Sequence, residues 1–222
     1  MKEIWAENID TELRFWASIF AGSCPQKDWV ENFRRRAAGI DVAPLYLHEY
    51  IGVGKRILDV GSGPATVLGG VLKGNPLNIT AVDPLANQYK ELYESYGITP
   101  LVMPIYGEGE NLPSIINGKF DFVYSRNALD HSYDPMRAIQ NMIDACADEG
   151  VVLFESLLNE GLRENYAGLH QWNFMPASGD LVIWNRDGSA WLAERELCGF
   201  KSFSVWKKPG SEARWMFVKI IK

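Results

Sequence analysis

The 222-residue sequence predicts an α/β fold built on a mostly parallel β-sheet. Three observations lead to this prediction. A short apolar run at 57–60 breaks into a glycine turn, a second strand ends on an acid before a helix-like stretch at 86–96, and the chain closes on two strands joined by a turn. Strands that alternate with helices are typical of sheets whose ligands bind beyond the carboxyl ends of the strands.

The composition favours one globular domain in a reducing compartment. The hydrophobic fraction of 47% and the charged fraction of 23% are ordinary for a soluble protein. No apolar run approaches the roughly 20 residues that span a bilayer, and the N-terminus lacks a signal-peptide core. The cysteines, Cys24, Cys146 and Cys198, have neither disulfide nor metal-ligand spacing. We therefore expect a cytoplasmic protein without a membrane span.

The charge argues against a nucleic-acid partner. The formal net charge is −6, and the longest basic run is the triplet 34–36. A solvated helix face explains such a triplet in an acidic chain. We therefore expect no nucleic acid among the partners, and a homodimer stays open.

Aromatic and apolar residues at helical spacing predict helices at the N-terminus. The first covers 3–20, the second covers 27–38 and the third covers 44–51. We expect region 1–54 to cover an edge of the core as a helical cap.

The stretch 55–66, KRILDVGSGPAT, carries the first binding motif. Asp59 lies on the strand, two residues before the first glycine, where its carboxylate would repel a pyrophosphate and attract an ammonium group or ribose hydroxyls. Thr66 holds the place of the third glycine in the dinucleotide pattern G-x-G-x-x-G. An NAD-dependent oxidoreductase is therefore disfavoured. The proline after the second glycine predicts a helix over 65–73.

A second acid follows at the end of the next strand. Asp83 ends the strand 78–82 and is placed to accept hydrogen bonds from ribose hydroxyls, although capping of the helix at 86–96 is the alternative. With the acid-x-Gly-x-Gly motif, the chain resembles the class I S-adenosylmethionine (SAM)-dependent methyltransferases. The resemblance implies a Rossmann-like seven-stranded sheet of order 3-2-1-4-5-7-6 with the last strand antiparallel. It also implies SAM as cofactor, S-adenosylhomocysteine as its product, and a lid role for the N-terminal helices.

Two downstream stretches extend the resemblance over about residues 55–157. Residues 107–113, GEGENLP, are similar to the family stretch Gly-Asp-Ala-Glu-x-Leu-Pro, in which the first acid binds the adenine amino group, so Glu108 takes that place. Residues 120–135 resemble the fourth motif, Phe-Asp-x-Val followed by x-Leu-x-His-x-x-Asp-Pro. The cofactor-binding residues that the resemblance implies are Asp59, Gly61, Ser62, Gly63, Asp83, Pro84, Glu108, Gly109, Glu110, Arg126 and Asn127.

The remaining elements complete one domain. The predicted division is a cap (1–54), a SAM-binding core (55–157), a substrate-side insertion (158–198) and a C-terminal hairpin (199–222). Within these parts we predict strands at 101–103, 120–125, 150–156, 180–185, 200–207 and 214–222, helices at 135–147 and 189–198, a loop or broken helix at 159–179 and a turn at 208–211.

Two of the three histidines are candidates for a general base. His131 follows the fourth strand and His170 lies in the insertion, so both could face the acceptor, although His131 could simply pack beside the methionine end of the cofactor. His48 lies among apolar residues and is assigned a structural role. Asp130 and Asp134 could hold a divalent ion, but a helix cap is the preferred role for Asp134. No metal is predicted.

The insertion is rich in aromatic and polar residues that suit a sugar or a small aromatic molecule. We assign the acceptor to Tyr166, His170, Trp172 and Asn173, with Trp172 as a stacking surface. The insertion is similar to that of bacterial methyltransferases of polysaccharide synthesis. The predicted function is methyl transfer to a small-molecule or carbohydrate acceptor, at a hydroxyl. The alternative is a SAM-binding protein without catalysis that serves as a partner or regulatory subunit.

Overall fold

A seven-stranded sheet is the centre of the fold in the computed structural model, which describes residues 1–210 and 214–222. Two smaller sheets have three strands and two strands. The strands are β1 (Arg56–Val60), β2 (Val71–Leu72), β3 (Asn75–Pro76), β4 (Asn78–Asp83), β5 (Ile105–Tyr106), β6 (Phe120–Arg126), β7 (Cys146–Leu157), β8 (Trp172–Ala177), β9 (Asp180–Asn185), β10 (Ala190–Leu192), β11 (Ser202–Lys207) and β12 (Trp215–Ile221).

The order of strands in the large sheet is β5-β4-β1-β6-β7-β12-β11. This is the order 3-2-1-4-5-7-6 that the sequence predicted. Strands β5, β4, β1, β6 and β7 run parallel, whereas β12 is antiparallel to both of its neighbours. The prediction of a Rossmann-like sheet with an antiparallel last strand is therefore confirmed. Part of the predicted turn 208–211, Ser211, lies outside the described residues.

Six α-helices lie within the described part of the chain, and none of them is long and apolar enough to cross a membrane. The helices are α1 (Lys2–Phe20), α2 (Lys27–Ala38), α3 (Ala86–Tyr96), α4 (Pro135–Ala145), α5 (Glu160–Arg163) and α6 (Ala193–Glu196). Short 3₁₀ turns occur at Leu45–Leu47, Gly109–Ser114 and Leu129–His131. The bounds of α2, α3 and β9 are those that the sequence predicted.

Both faces of the large sheet are buried, as is typical of parallel strands. On one face, Leu58 belongs to a cluster with α4 and with the apolar residues of β8 and β9. On the other face, Ile57 packs with segment 43–51 and Leu68. A third cluster joins α1, α2 and α3 through aromatic contacts, including Phe20 with Tyr93. The N-terminal aromatics therefore build a core of their own beside the sheet.

The helix predicted over 65–73 is wrong, because a series of turns follows the glycine loop. The Thr66 hydroxyl accepts a hydrogen bond from the Leu68 amide, 3.1 Å away, and so competes with helical pairing. Gly69 has a left-handed φ of +69°. The amides of Gly70 and Val71 then bond the carbonyl of Gly39, at 2.7 and 3.0 Å, instead of a preceding turn. The segment is held by α2 and leads into the β2–β3 hairpin.

Two other predicted elements before the fourth strand are shifted or shortened. The helix predicted at 44–51 is a 3₁₀ turn, since the amides of Leu47, His48 and Tyr50 bond carbonyls three residues back. The third strand is β5 and not 101–103, because the amide of Leu101 bonds the carbonyl of Ala37 at the end of α2. Pairing with β4 begins only four residues later.

The insertion is an antiparallel sheet where a loop and a helix were predicted. The predicted helix 189–198 is β10 followed by the single turn α6. The side chain of Asn185 accepts hydrogen bonds from the amides of Asp187 and Ser189, at 3.0 and 3.1 Å, and Gly188 has a φ of +83°. These features close a hairpin from β9 to β10. The predicted loop or broken helix 159–179 holds α5 and β8.

Candidate functional site

A cavity of about 810 Å³ lies at the carboxyl ends of β1, β4 and β6. It is lined by every residue that the sequence assigned to the cofactor and by both histidines assigned to catalysis. Its other walls come from α1, α2 and the ends of β7 and β12, which contribute Trp5, Glu12, Trp16, Trp29, Asn32, Arg35, Arg36, Leu157 and Trp215 among others. The cavity is large enough for a ligand of nucleoside size.

The glycine loop forms the floor of this cavity. Gly61 and Gly63 have left-handed φ values of +68° and +63°. A Cβ at Gly61 would lie 2.4 Å from the Cβ of Ala128, so glycine is required there by the packing of the loop on the end of β6. A Cβ at Gly63 would lie 3.1 Å from the ring of Trp16 on α1. The first helix therefore closes directly over the loop.

Asp59 is a buried carboxyl at the cavity wall. Its side chain is 2% exposed and accepts a hydrogen bond from Thr66. Burial, with a smaller contribution from the charge of Asp83, raises the pKa of Asp59 to about 7, although Thr66, Arg36 and Arg126 act in the opposite direction. The residue that replaces the third glycine is thus a direct partner of the acid. Such a carboxyl is poised to accept a cation or hydroxyl donors.

Asp83 is also buried, and it holds the loop in place. Its two oxygens accept hydrogen bonds from the amides of Gly63 and Leu85, both at 2.9 Å. Burial raises the pKa of Asp83 to about 6 although both amides lower it. The Leu85 amide precedes the first residue of α3, Ala86, so Asp83 closes the turn before the helix and does not cap it. Both amide bonds leave room for a ligand, because each carboxylate oxygen has a second lone pair.

Two glutamates follow β5 and differ in their partners. Glu108 Oε2 accepts hydrogen bonds from the Tyr133 hydroxyl at 2.8 Å and from Lys2 at 3.4 Å. Glu110 is buried, and its Oε1 accepts the backbone amides of Tyr133 and Asp134 at 2.8 and 3.2 Å. Glu110 therefore ties this loop to the segment before α4. Glu108 lies nearer the rim, beside the start of α1.

The two candidate histidines meet at one end of the cavity. His131 Nε2 lies 3.0 Å from His170 Nδ1, which lies 2.8 Å from Asp130 Oδ2. Burial lowers the pKa of His170, but the hydrogen bond and charge of Asp130 outweigh it, so that this pKa is raised. Burial raises the pKa of Asp130, but the two histidines outweigh it and that pKa is lowered. Asp134 caps α4 through the amide of Arg137, at 3.0 Å, as the sequence predicted.

Glu160 extends this histidine cluster along the cavity wall. Burial, and then the charge of Asp130, raises the pKa of Glu160 to about 7. On the opposite side, His131 Nδ1 lies 3.9 Å from Glu12 Oε2 on α1. Carboxyl groups from two distant parts of the chain therefore face the histidines.

Three residues assigned to the acceptor do not line the cavity. Trp172 is 2% exposed and donates its ring N–H to the carbonyl of Ser132, at 2.7 Å, so the interpretation of its ring as a stacking surface is wrong. Asn173 is fully buried, where it accepts the Leu162 amide and donates to the Tyr166 hydroxyl. Tyr166 therefore supports α5. Trp172 and Asn173 are consecutive residues of β8 and so point to opposite faces, and both faces are buried at this end of the strand.

Several residues of the site were missed in the sequence. Glu12 lies one helical turn from Ile9 and from Trp16 and two turns from Trp5, on a face where its charge could have signalled a ligand. Arg36 was assigned to a solvated helix, yet it lies in the cavity, where burial and Arg126 lower its pKa to about 10. No local pattern marks it.

A buried carboxylate supports the cavity wall at the ends of β6 and β7. Glu155 accepts hydrogen bonds from the hydroxyls of Tyr46, at 2.6 Å, and Tyr124. Its other oxygen lies 4.0 Å from Arg126 Nε, and the Arg126 guanidinium lies 4.9 Å above the ring of Trp215. This network joins segment 43–51 to the ends of β6 and β7. It also holds the positively charged guanidinium of Arg126 at the cavity surface.

The chain matches a family model described as "Methyltransferase domain" over residues 31–200. Curated relatives named tRNA U34 carboxymethyltransferase are 25% identical over 146 residues in Alteromonas mediterranea, covering 59% of this chain and 43% of that one, and 27% identical over 195 residues in Ectopseudomonas mendocina, covering 83% and 52%. The chain thus spans about half the length of the curated relatives it matches.

Solved structures share the fold at low sequence identity. A SAM-dependent methyltransferase of Thermotoga maritima has a TM-score of 0.52 and 14% identity, with 99% of this chain and 98% of that chain covered. The CMeT domain of the citrinin polyketide synthase has a TM-score of 0.51 and 13% identity, with 75% and 46% covered. At this level of identity the likeness concerns the fold.

Proposed function

Since this chain belongs to the methyltransferase domain family and is a SAM-dependent methyltransferase, we propose that it modifies a base of RNA, with tRNA as the acceptor class. SAM supplies an electrophilic methyl group on a sulfonium. The proposal is supported by the curated relatives, which are named for an activity on U34 of tRNA.

The acceptor predicted from the sequence is corrected by these relatives. A small-molecule or carbohydrate acceptor is wrong, as are the link to polysaccharide synthesis and the exclusion of nucleic acid. The exclusion of nucleic acid came from the net charge of −6, and the carbohydrate acceptor came from the aromatic and polar composition of the insertion. Net charge describes the whole surface, whereas recognition of a nucleic acid depends on the local potential and on stacking. The alternative of a SAM-binding protein without catalysis is also set aside.

The rim of the cavity on α2 supports an RNA acceptor. Trp29 is 45% exposed and lies against Phe15 with ring centroids 5.6 Å apart, while its neighbours Asn32 and Arg35 line the same cavity. Unpaired bases are commonly bound by stacking on aromatic rings and by arginine side chains. An exposed indole beside a guanidinium at the mouth of a cofactor cavity suits a base that leaves its stack to react.

The residues of the cavity floor suit SAM. Asp59 and Asp83 are buried acids at adjacent strand ends, so they can accept the ammonium group and the ribose hydroxyls. The left-handed Gly61 and Gly63 keep side chains away from the floor. Glu108 can accept the adenine amino group. These assignments stay proposals for this chain, as does its cytoplasmic location.

His131 and His170 are the candidates for general acid–base catalysis at the acceptor end of the cavity. Both line the cavity, and Asp130 orients His170 through a 2.8 Å hydrogen bond. Replacing either histidine with alanine should lower turnover at least about 100-fold while SAM affinity stays near wild type. Retained turnover in both variants would exclude a histidine role in catalysis.

The direct test is incubation of the purified protein with SAM and total tRNA, followed by nucleoside mass spectrometry. We expect a modified uridine, and its mass distinguishes an added methyl group from an added carboxymethyl group. Oligosaccharides and small alcohols serve as competing acceptors in the same assay. Product formation on those acceptors alone, with none on tRNA, would refute the RNA acceptor.

The rim is tested by binding of tRNA to two variants with matched controls. Trp29→Ala and Arg35→Ala should each weaken tRNA binding by about 5–150-fold, since base stacking contributes about 1–3 kcal/mol. Trp206→Ala and Arg195→Ala are the controls, because Trp206 is 40% exposed and neither residue lines the cavity. Equal losses in the variants and the controls would place the RNA surface elsewhere.

A further inference from the structure

We propose that Asp130, His131 and His170 bind a divalent first-row transition-metal ion at the end of the cavity. This three-residue metal site is independent of the identity of the acceptor. The sequence alone predicted no metal at these residues. The three side chains come from two segments about 40 residues apart, the 3₁₀ turn Leu129–His131 and the turn before β8.

The spacing of the ligand atoms fits one ion. His131 Nε2, His170 Nδ1 and Asp130 Oδ2 are separated by 3.0, 2.8 and 3.5 Å. The circle through these atoms has a radius of about 1.8 Å, which is shorter than the usual metal–nitrogen distance of about 2.1 Å. An ion about 1 Å above the plane of the three atoms would therefore contact all of them.

Two buried acceptor atoms give a second, independent indication. Within the described residues, Asp130 Oδ1 and Glu160 Oε2 are buried oxygens without a hydrogen-bond partner. Asp130 is fully buried and Glu160 is 7% exposed, and Glu160 lines the same cavity as the two histidines. A buried carboxylate oxygen without a donor is costly in free energy. A cation at the metal site would stabilise both.

The ligand types select the class of ion. Two imidazoles and a carboxylate suit Zn²⁺, Fe²⁺, Mn²⁺ or Co²⁺, whereas Mg²⁺ and Ca²⁺ prefer an all-oxygen shell. His131 and His170 are 18% and 28% exposed at the cavity, so the remaining coordination positions face the cavity. Water or an oxygen of the acceptor can complete the shell there.

The backbone and neighbouring side chains hold the ligands in place. The Gln171 amide bonds the carbonyl of Asp130, at 3.2 Å, and so connects the two segments directly. The side chain of Gln171 donates to the carbonyls of Tyr166 and Gly168, at 3.0 and 2.8 Å, which fixes the turn that carries His170. Such support reduces the entropy that ion binding would otherwise cost.

The competing interpretation is a hydrogen-bonded pair of histidines without an ion. One proton on His170 Nδ1 could be shared by Asp130 and His131 at the observed distances. This interpretation predicts no saturable binding of a transition ion. It also leaves the oxygens of Asp130 and Glu160 without a partner.

The experiment is a titration of tag-free, chelator-treated protein with Co²⁺ alone, followed by visible absorption and then by competition with Zn²⁺. We expect saturation at one ion per chain and a higher melting temperature in excess ion. His131→Gln, His170→Gln and Asp130→Asn should each weaken binding by more than about 100-fold, since loss of even an outer-shell partner costs about 10–100-fold.

His48→Gln is the matched control, because His48 is the remaining histidine and bonds the carbonyl of Ala43, at 3.0 Å, away from the metal site. This variant should bind Co²⁺ as the wild type does. The circular dichroism spectrum of each variant establishes folding, and any one folded variant among the three ligand substitutions is sufficient for the test. The proposal is overturned by absence of saturable binding, by binding that survives ligand substitution, or by an equal loss in His48→Gln.

Discussion

Lowering the pH should release the cofactor by protonating two buried acids. Burial raises the pKa of Asp59 to about 7 and that of Asp83 to about 6. Both are proposed to accept hydrogen bonds or a cation from the ligand, which requires the ionised carboxylates. Protonation therefore competes with binding, and affinity should fall as the pH falls through these pKa values.

The expected magnitude follows from the two pKa values. Between about pH 7.5 and about pH 5.5, Asp59 contributes a loss of about 25-fold and Asp83 a loss of about fourfold, so the product is about 100-fold. Arg36 and Arg126 face Asp59, and Glu12 and His131 act on Asp83. Arginines stay charged throughout this range. Most of the loss of affinity should come from Asp59, whose factor of about 25 exceeds the factor of about four for Asp83.

Isothermal calorimetry with S-adenosylhomocysteine measures this effect directly, because the ligand's α-amino group stays mostly protonated in this range. Asp59→Asn is the diagnostic variant. Its affinity should vary only about fourfold over the same pH range, which is the share of Asp83. An affinity of the wild type that is flat with pH, or an Asp59→Asn profile as steep as that of the wild type, would refute the reasoning.

Three further predictions concern stability. The pKa of Asp59 in the folded protein, about 7, exceeds its ordinary value of 3.8, so the contribution of its protonated form to stability is lost as the pH rises through 7. Asp59→Asn should therefore raise the melting temperature of the ligand-free protein more at pH 8 than at pH 5. A lower melting temperature of the variant at pH 8 would contradict this. Asp83→Ala leaves the Gly63 and Leu85 amides without their acceptor, so it should lower the free energy of unfolding by about 1.5–3 kcal/mol, or the melting temperature by about 3–12 °C. It should also weaken SAM binding by about 10- to 100-fold. An unchanged melting temperature would mean that water replaces the carboxylate. Trp172→Ala should cost about 3–5 kcal/mol because its ring is buried, and a change in acceptor KM without loss of stability would show that the ring is accessible.

The central strands and the place of the cofactor were predictable because their signals are local, whereas the order of the strands came from the family resemblance. Asp59 and Asp83 each follow a short apolar run, and the carboxyl ends of adjacent parallel strands meet at one edge. The same logic placed His131 after β6. Helices α2 and α3 were predicted to the residue because their apolar spacing and the glycines after them are consistent.

The segment after the glycine loop shows where local signals were insufficient. Proline followed by Ala-Thr-Val-Leu suits a helix, but glycines at 69 and 70 propagate a helix poorly. The carbonyl of Gly39, just after α2, instead accepts the amides of Gly70 and Val71. Trp172 and His170 show the same limit in the insertion. They are two residues apart, yet one is buried in the core and the other lines the cavity.

The sequence by itself determined the central strands, the acid-rich floor of the cavity and the motifs of the family resemblance, because these depend on residues close together in the chain. Only the tertiary structure decided that Arg36 and Glu12 face the cavity, that Trp172 is buried, and that His131 and His170 meet at Asp130. The physical reason is that these contacts join segments far apart in the chain. Glu12 and Arg36 reach the cavity because α1 and α2 pack with α3 in one apolar cluster. His170 reaches His131 because the apolar residues of β8 and β9 are buried against α4, and that packing carries the turn of His170 onto the end of β6.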